Sequence, residues 1–192
     1  MSRIAPQCVF LAGLWAALAI TTSAPAQDAP AATGRTDQHK WLQKFVGHWD
    51  VESKGSMGEG QPAMVSKGTI ESESLGGFWV MNRMTADFGG MGFTGVQTVG
   101  YDPAKKKYIG TWVDSTGSFM WKYEGFVDDS GKKLILEATG PDMMNPEKTR
   151  LYRDSYEFVT NDEVITTSSM QKDDGSWSTF MTGRGKRVPA KK

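Results

Sequence analysis

Ten short runs of strand-forming residues, each closed by a turn signal, fill the chain from His48 to Arg187. Period-two alternation puts successive side chains on opposite faces, and clusters of Gly, Pro, Asn and Asp reverse the chain. The predicted runs are 48–53, 63–75, 78–88, 92–101, 107–114, 118–127, 132–139, 149–159, 164–171 and 177–187. Among the punctuating signals are Met57-Gly58-Glu59-Gly60, Gly76-Gly77, Gly89-Gly90, Asp102-Pro103-Ala104-Lys105 and Asp173-Asp174-Gly175. With no helical pattern between them, consecutive runs pair as antiparallel neighbours. A meander of that length exposes two edges unless it closes on itself. The expected fold is all-β: a closed antiparallel up-and-down β-barrel of about ten strands. Only the stretch from Asp37 to Phe45 breaks the rhythm, as a short N-terminal helix with Trp41, Leu42 and Phe45 on one side, ended by Gly47. A barrel of this size has room for one small ligand.

The first 26 residues read differently. Arg3 is the sole charge before Asp28, an apolar run extends from Cys8 to Ile20, and Ala24-Pro25-Ala26 offers a small-residue cleavage site. The run is 13 residues long, short of the roughly 20 that a membrane-spanning helix needs. The pattern is that of a secretory signal peptide cleaved after Ala26. Residues 27–36 are a flexible leader, 37–188 the barrel domain and 189–192 a basic tail. The expected location is the bacterial periplasm or the medium, with no integral membrane segment after cleavage. The processed chain has 166 residues, no cysteine, and 21 basic against 22 acidic residues. It therefore has no disulfide, thiol nucleophile or thiolate metal site, and its stability rests on its own core. A near-neutral chain has no field to draw in nucleic acid. The tail residues Arg184, Lys186, Arg187, Lys191 and Lys192 are offset by acidic turns.

Alternation assigns candidate inward residues. Phe78, Met84, Tyr108, Trp112, Asp114, Trp121 and Tyr123 fall on the faces expected to line the barrel, and a one-residue slip of register would invert them all. Asp114 is the strongest single carboxylate candidate, because it shares its face with Tyr108 and Trp112. Its plainer role is as a turn acceptor for Ser115 or Gly117.

Several segments resemble a known family. His39-Lys-Trp-Leu-Gln-Lys-Phe-Val-Gly-His-Trp49 resembles the opening of calycin-type barrels, where a short helix precedes Gly-x-Trp. Ser66-Lys-Gly-Thr69, Leu75-Gly-Gly77, the block from Val99 to Ser115 and Tyr156-Glu-Phe158 resemble a bacterial family of exported calycin-like proteins catalogued as a domain of unknown function. The Gly-Tyr-Asp…Lys-Lys-Tyr…Gly-Thr-Trp-x-Asp-Ser spacing is the most specific part, and the similarity runs from His39 to Arg187. The resemblance implies a lipocalin-like or nitrobindin-like barrel and no established activity. Phe78 stands where that family often has an arginine.

The chemistry-bearing residues form no catalytic motif, and no catalytic residue, cofactor or metal is assigned. A nitrobindin-like haem would take an axial histidine late in the chain, and none follows His48. His39 is expected on the helix surface, with His48 flanking Trp49. Gly-x-Ser-x-Gly is absent. The carboxylates (Glu71, Glu73, Asp87, Asp114, Glu124, Glu137, Asp154 and Glu157) would support acid–base work only with two in one cleft. Ten methionines remain after processing. They fit adaptable packing better than a copper site, since no M-x-M or H-x-M spacing occurs. The leading expectation is an exported binding module for a small apolar molecule. The alternatives are an interaction protein whose barrel is filled by its own aromatic side chains, and, behind it, a hydrolase-type enzyme or copper binder. An enclosed volume of roughly 300 Å³ or more would favour ligand binding.

Overall fold

The computed structural model describes residues 34–56 and 62–189. The expected signal peptide, most of the leader, the Met57–Gly60 turn and the end of the basic tail lie outside the described residues. Ten strands follow a helix α1 (Asp37–Leu42) and a 3-10 turn (Gln43–Phe45). They are β1 (Gly47–Gly55), β2 (Met64–Leu75), β3 (Trp79–Asp87), β4 (Gly92–Asp102), β5 (Lys107–Asp114), β6 (Trp121–Val127), β7 (Lys133–Pro141), β8 (Thr149–Thr160), β9 (Glu163–Gln171) and β10 (Trp177–Val188). Each pairs antiparallel with its sequence neighbours, and β1 pairs with β10 from His48↔Val188 to Gly55↔Met181, closing the barrel. Closure leaves no open sheet edge. Among the described residues no helix is long and apolar enough to cross a membrane.

The alternation sets which side chains go inside. In β1, Trp49, Val51 and Ser53 are buried while Asp50, Glu52 and Lys54 face out; in β7, Leu134, Leu136 and Ala138 are buried. Leu42, Leu134, Leu136, Val80 and Val99 are completely buried, and burying a side chain of this kind stabilises by about 2 kcal/mol. These residues, with Phe45, Trp49, Tyr108 and Phe158, form a core at the barrel end capped by the helix. Trp41 and Phe45 reach it edge-on against Phe158, with ring centroids 5.6 and 5.0 Å apart.

The Gly-x-Trp segment joins cap to barrel. Gly47 has φ of 133°, a conformation open to glycine alone, and the guanidinium of Arg187 occupies the space a Cβ would need. That guanidinium lies over the Trp49 ring, 4.1 Å from its centroid, and donates to the carbonyls of Lys44, Val46 and Asn161. The Trp49 indole donates to the Phe45 carbonyl at 2.8 Å. A fixed planar cation thus satisfies carbonyls left over where the cap ends.

Three local expectations are corrected. The third strand starts at Trp79, not Phe78, because Gly76 and Gly77 (φ 63° and 77°) form a tight turn in which the Phe78 amide donates to the Leu75 carbonyl. The sixth begins at Trp121, not Ser118, because the β5–β6 ladder ends with Trp112↔Trp121 and 118–120 have no partner strand among the described residues. His39 is buried, not on the helix surface. Its Nδ1 accepts the Thr36 amide at 3.0 Å in a capping box, and its ring packs edge-on against Phe78 and Tyr101. The ladder between β6 and β7 is short, running only from Glu124↔Glu137 to Val127↔Leu134. Towards the uncapped end the ring of Trp121 lies across Gly140 instead.

Candidate ligand-binding cavity

Above the capped core the barrel encloses a cavity of about 380 Å³. Its upper wall is aromatic and sulfur-bearing. Phe88, Phe93 and Trp112 form one run of rings, with Phe93 stacked on Trp112 at 6.2 Å. Trp121, Tyr152 and Phe180 form another, joined edge to face, with the exposed Phe119 edge-on to Trp121 outside the lining. Met64, Met84, Met143 and Met181 fill between them. Thioethers and offset rings give an apolar wall that adapts to shape.

Asp114 fixes one of these rings. Its Oδ2 accepts the Trp112 indole N–H at 2.7 Å, and its Oδ1 accepts the Thr116 amide at 2.8 Å and hydroxyl at 2.5 Å. Burial works to raise this carboxyl, but the Thr116 and Trp112 donors outweigh it and hold it below its ordinary value. The turn acceptor role holds, with Thr116 as the donor.

The floor is polar and crosses the barrel. Asn82 on β3 donates to Gln97 Oε1 at 2.9 Å, and Gln97 on β4 donates to the Tyr156 hydroxyl on β8, on the opposite wall, at 2.7 Å. Beside them Tyr123 on β6 donates to Asp154 Oδ2 at 2.5 Å and Ser168 on β9 to Oδ1 at 2.6 Å. Burial pushes the Asp154 carboxyl up, against the Ser168 and Tyr123 hydrogen bonds that favour its charged form. Burial also raises Tyr123 and Tyr156, with the Asp154 charge adding to both. Asn82 Oδ1 is buried and has no hydrogen-bond partner among the described residues. No Lys, Arg or His is among the described residues lining the cavity.

Of the residues singled out by alternation, Met84, Trp112, Asp114, Trp121 and Tyr123 face this one cavity. Phe78 and Tyr108 do not line it. Phe78 sits in the β2–β3 turn against His39, and Tyr108 lies one layer too low, under the helix, where its hydroxyl meets the Gln38 carbonyl at 3.4 Å. The floor residues Asn82, Gln97, Tyr156 and Ser168 lie outside the set that alternation singles out as liners, and Asp154 stands in the sequence only as one carboxylate among several. Alternation puts Asn82 on one face with Val80 and Met84, and Asp154 on the face of Tyr152, Tyr156 and Phe158. The signal that could have found them was a polar residue on an otherwise apolar face. His48 is exposed, 4.0 Å from Glu71, and Met91 and Met144 are exposed at the uncapped end. Among the described residues no three His, Cys, Asp or Glu side chains converge as metal ligands.

A family model described as "Protein of unknown function (DUF1579)" matches residues 34–187. No curated protein matches the chain. Among solved structures, Rv2717c from M. tuberculosis is similar at 11% identity and a TM-score of 0.59, covering 80% of this chain and 99% of that one. The S-type phycobiliprotein lyase CPES from Guillardia theta is similar at 11% identity and a TM-score of 0.53, covering 79% of this chain and 93% of that one. At that identity the likeness speaks for the barrel fold alone.

Proposed function

The chain belongs to the DUF1579 family, whose description assigns no activity, and we propose from its interior that it is a binding module holding one small, largely apolar molecule inside the barrel. The observation that carries this reading is the cavity of about 380 Å³, which its own six processed-chain tryptophans leave unfilled. Drug-sized ligands occupy sites of roughly 300–1,000 Å³ with apolar walls and few polar groups, and this interior matches that description. It disfavours the filled-barrel alternative.

One observation favours an acid–base reading: Asp114 and Asp154 face the same cavity and are displaced in opposite directions. Yet both oxygens of each already accept hydrogen bonds from the protein, so holding a ligand is the better-supported role. The export expectation completes the proposal: a periplasmic or secreted carrier, processed after Ala26.

Trp49, Trp112 and Trp121 line the cavity and report on it. Titration with a library of lipids and aromatic compounds is expected to give saturable quenching of tryptophan emission. Native mass spectrometry of protein purified from its own compartment is expected to show a chain beginning at Gln27 with a bound small mass. No saturable response across the library, together with a bare mass, would overturn the carrier reading. A chain that begins at Met1 would overturn the export.

A further inference from the structure

The floor of the cavity reads the polar end of whatever enters. Asn82 is 6% exposed, and its Oδ1 is left without a partner among the described residues, in the polar floor of a cavity whose upper wall is apolar. A buried acceptor in that state has lost its hydration with nothing in return unless something donates to it. Its neighbour sets a complementary need. The Tyr156 hydroxyl accepts from Gln97, so its own hydrogen is left to give. The floor thus leaves an acceptor at Asn82, a residue of the cavity lining, and a donor at Tyr156, neither of them met by the protein's own hydrogen bonds among the described residues.

Charge narrows the class. With no Lys, Arg or His among the described residues lining the cavity, a buried carboxylate or phosphate head finds no counter-charge there and meets two aspartates. A cation meets carboxylates whose oxygens each already accept from Trp112, Thr116, Tyr123 or Ser168, and competes with those donors for the same charge. An uncharged head carrying both a donor and an acceptor answers Asn82 Oδ1 and the Tyr156 hydroxyl together. We propose, on the basis of the carrier reading above, that the cavity takes neutral amphiphiles head first, with a hydroxyl or amide group bonded to Asn82 and an apolar body between the Trp112 and Trp121 walls. Acidic lipids are rejected at the same floor.

The test uses purified protein and five probes of one chain length: decan-1-ol, decanamide, decyl methyl ether, decanoate and decylammonium, each followed by tryptophan quenching at neutral pH. Decan-1-ol and decanamide are expected to bind at least about tenfold more tightly than the ether, which lacks a donor, and than either charged probe. Asn82→Leu is expected to bring the alcohol and the amide down to the level of the ether while leaving the ether unchanged. If Asn82→Leu does not fold, Tyr156→Phe replaces it, with an expected loss of at least about threefold for the alcohol. Equal binding of all five probes, a preference for decanoate or decylammonium, or an unchanged ranking in the variant overturns the inference and leaves the carrier reading intact. Silence from all five overturns it too, and the carrier reading falls with it only when the wider library is also silent.

Discussion

Asp154 shows how one buried group connects cavity and stability. Burial raises its carboxyl above the ordinary 3.8, against the Ser168 and Tyr123 hydrogen bonds that favour the charged form. The folded protein therefore binds this proton more tightly than the unfolded chain does. The contribution to stability is complete below about 3.8 and is lost as the pH rises through the folded value. Asp154→Asn removes that dependence. Urea unfolding from pH 4 upwards should show the variant gaining on the parent as pH rises, then holding a constant difference; a difference independent of pH would refute it. The sequence places Asp154 one step from Tyr156 on an apolar face, yet periodicity alone does not say that a carboxylate goes inside. What decides is partners from β6 and β9, far away in the chain. His39 is hidden for a different reason: its burial depends on Thr36 capping the helix and on Phe78 arriving from the β2–β3 turn.

The strands themselves were largely legible, because alternation and turn residues are local. β5 coincides with its expected span, 107–114, and its inward set of Gly110, Trp112 and Asp114 follows from period two. Where boundaries moved, a partner was decisive, as at Ser118–Met120, where the β5–β6 ladder has already ended. The Gly-Thr-Trp motif also has a physical reading. A Cβ on Gly110 would fall inside contact distance of the Thr98 carbonyl oxygen and press on Val99 of β4, so the backbones approach there more closely than a side chain allows. Gly110→Ala is expected to cost about 2–3 kcal/mol in urea unfolding, whereas Ala at the open Gly117 should change little. Equal effects at both would rule out close approach as the reason for glycine in that motif.

At the scale of the molecule, closure was readable from the number of strands and the edge problem, but the interior volume was not. Counting aromatic residues cannot tell a filled barrel from a hollow one. Phe45, Trp49 and Phe158 gather under the cap, while the rings of the other half stand against one another around the wall and leave its centre open. Filling that half from the wall should silence it: Met84→Trp is expected to keep the β circular dichroism spectrum and abolish ligand quenching. Retained quenching of full amplitude would place the guest elsewhere. The short β6–β7 ladder carries one more consequence. A cask gives way first at its slackest joint, and here Trp121 bars a gap that main-chain bonds leave unfastened. Amide protons of 121–123 and 138–140 should exchange with deuterium ahead of those in the other staves.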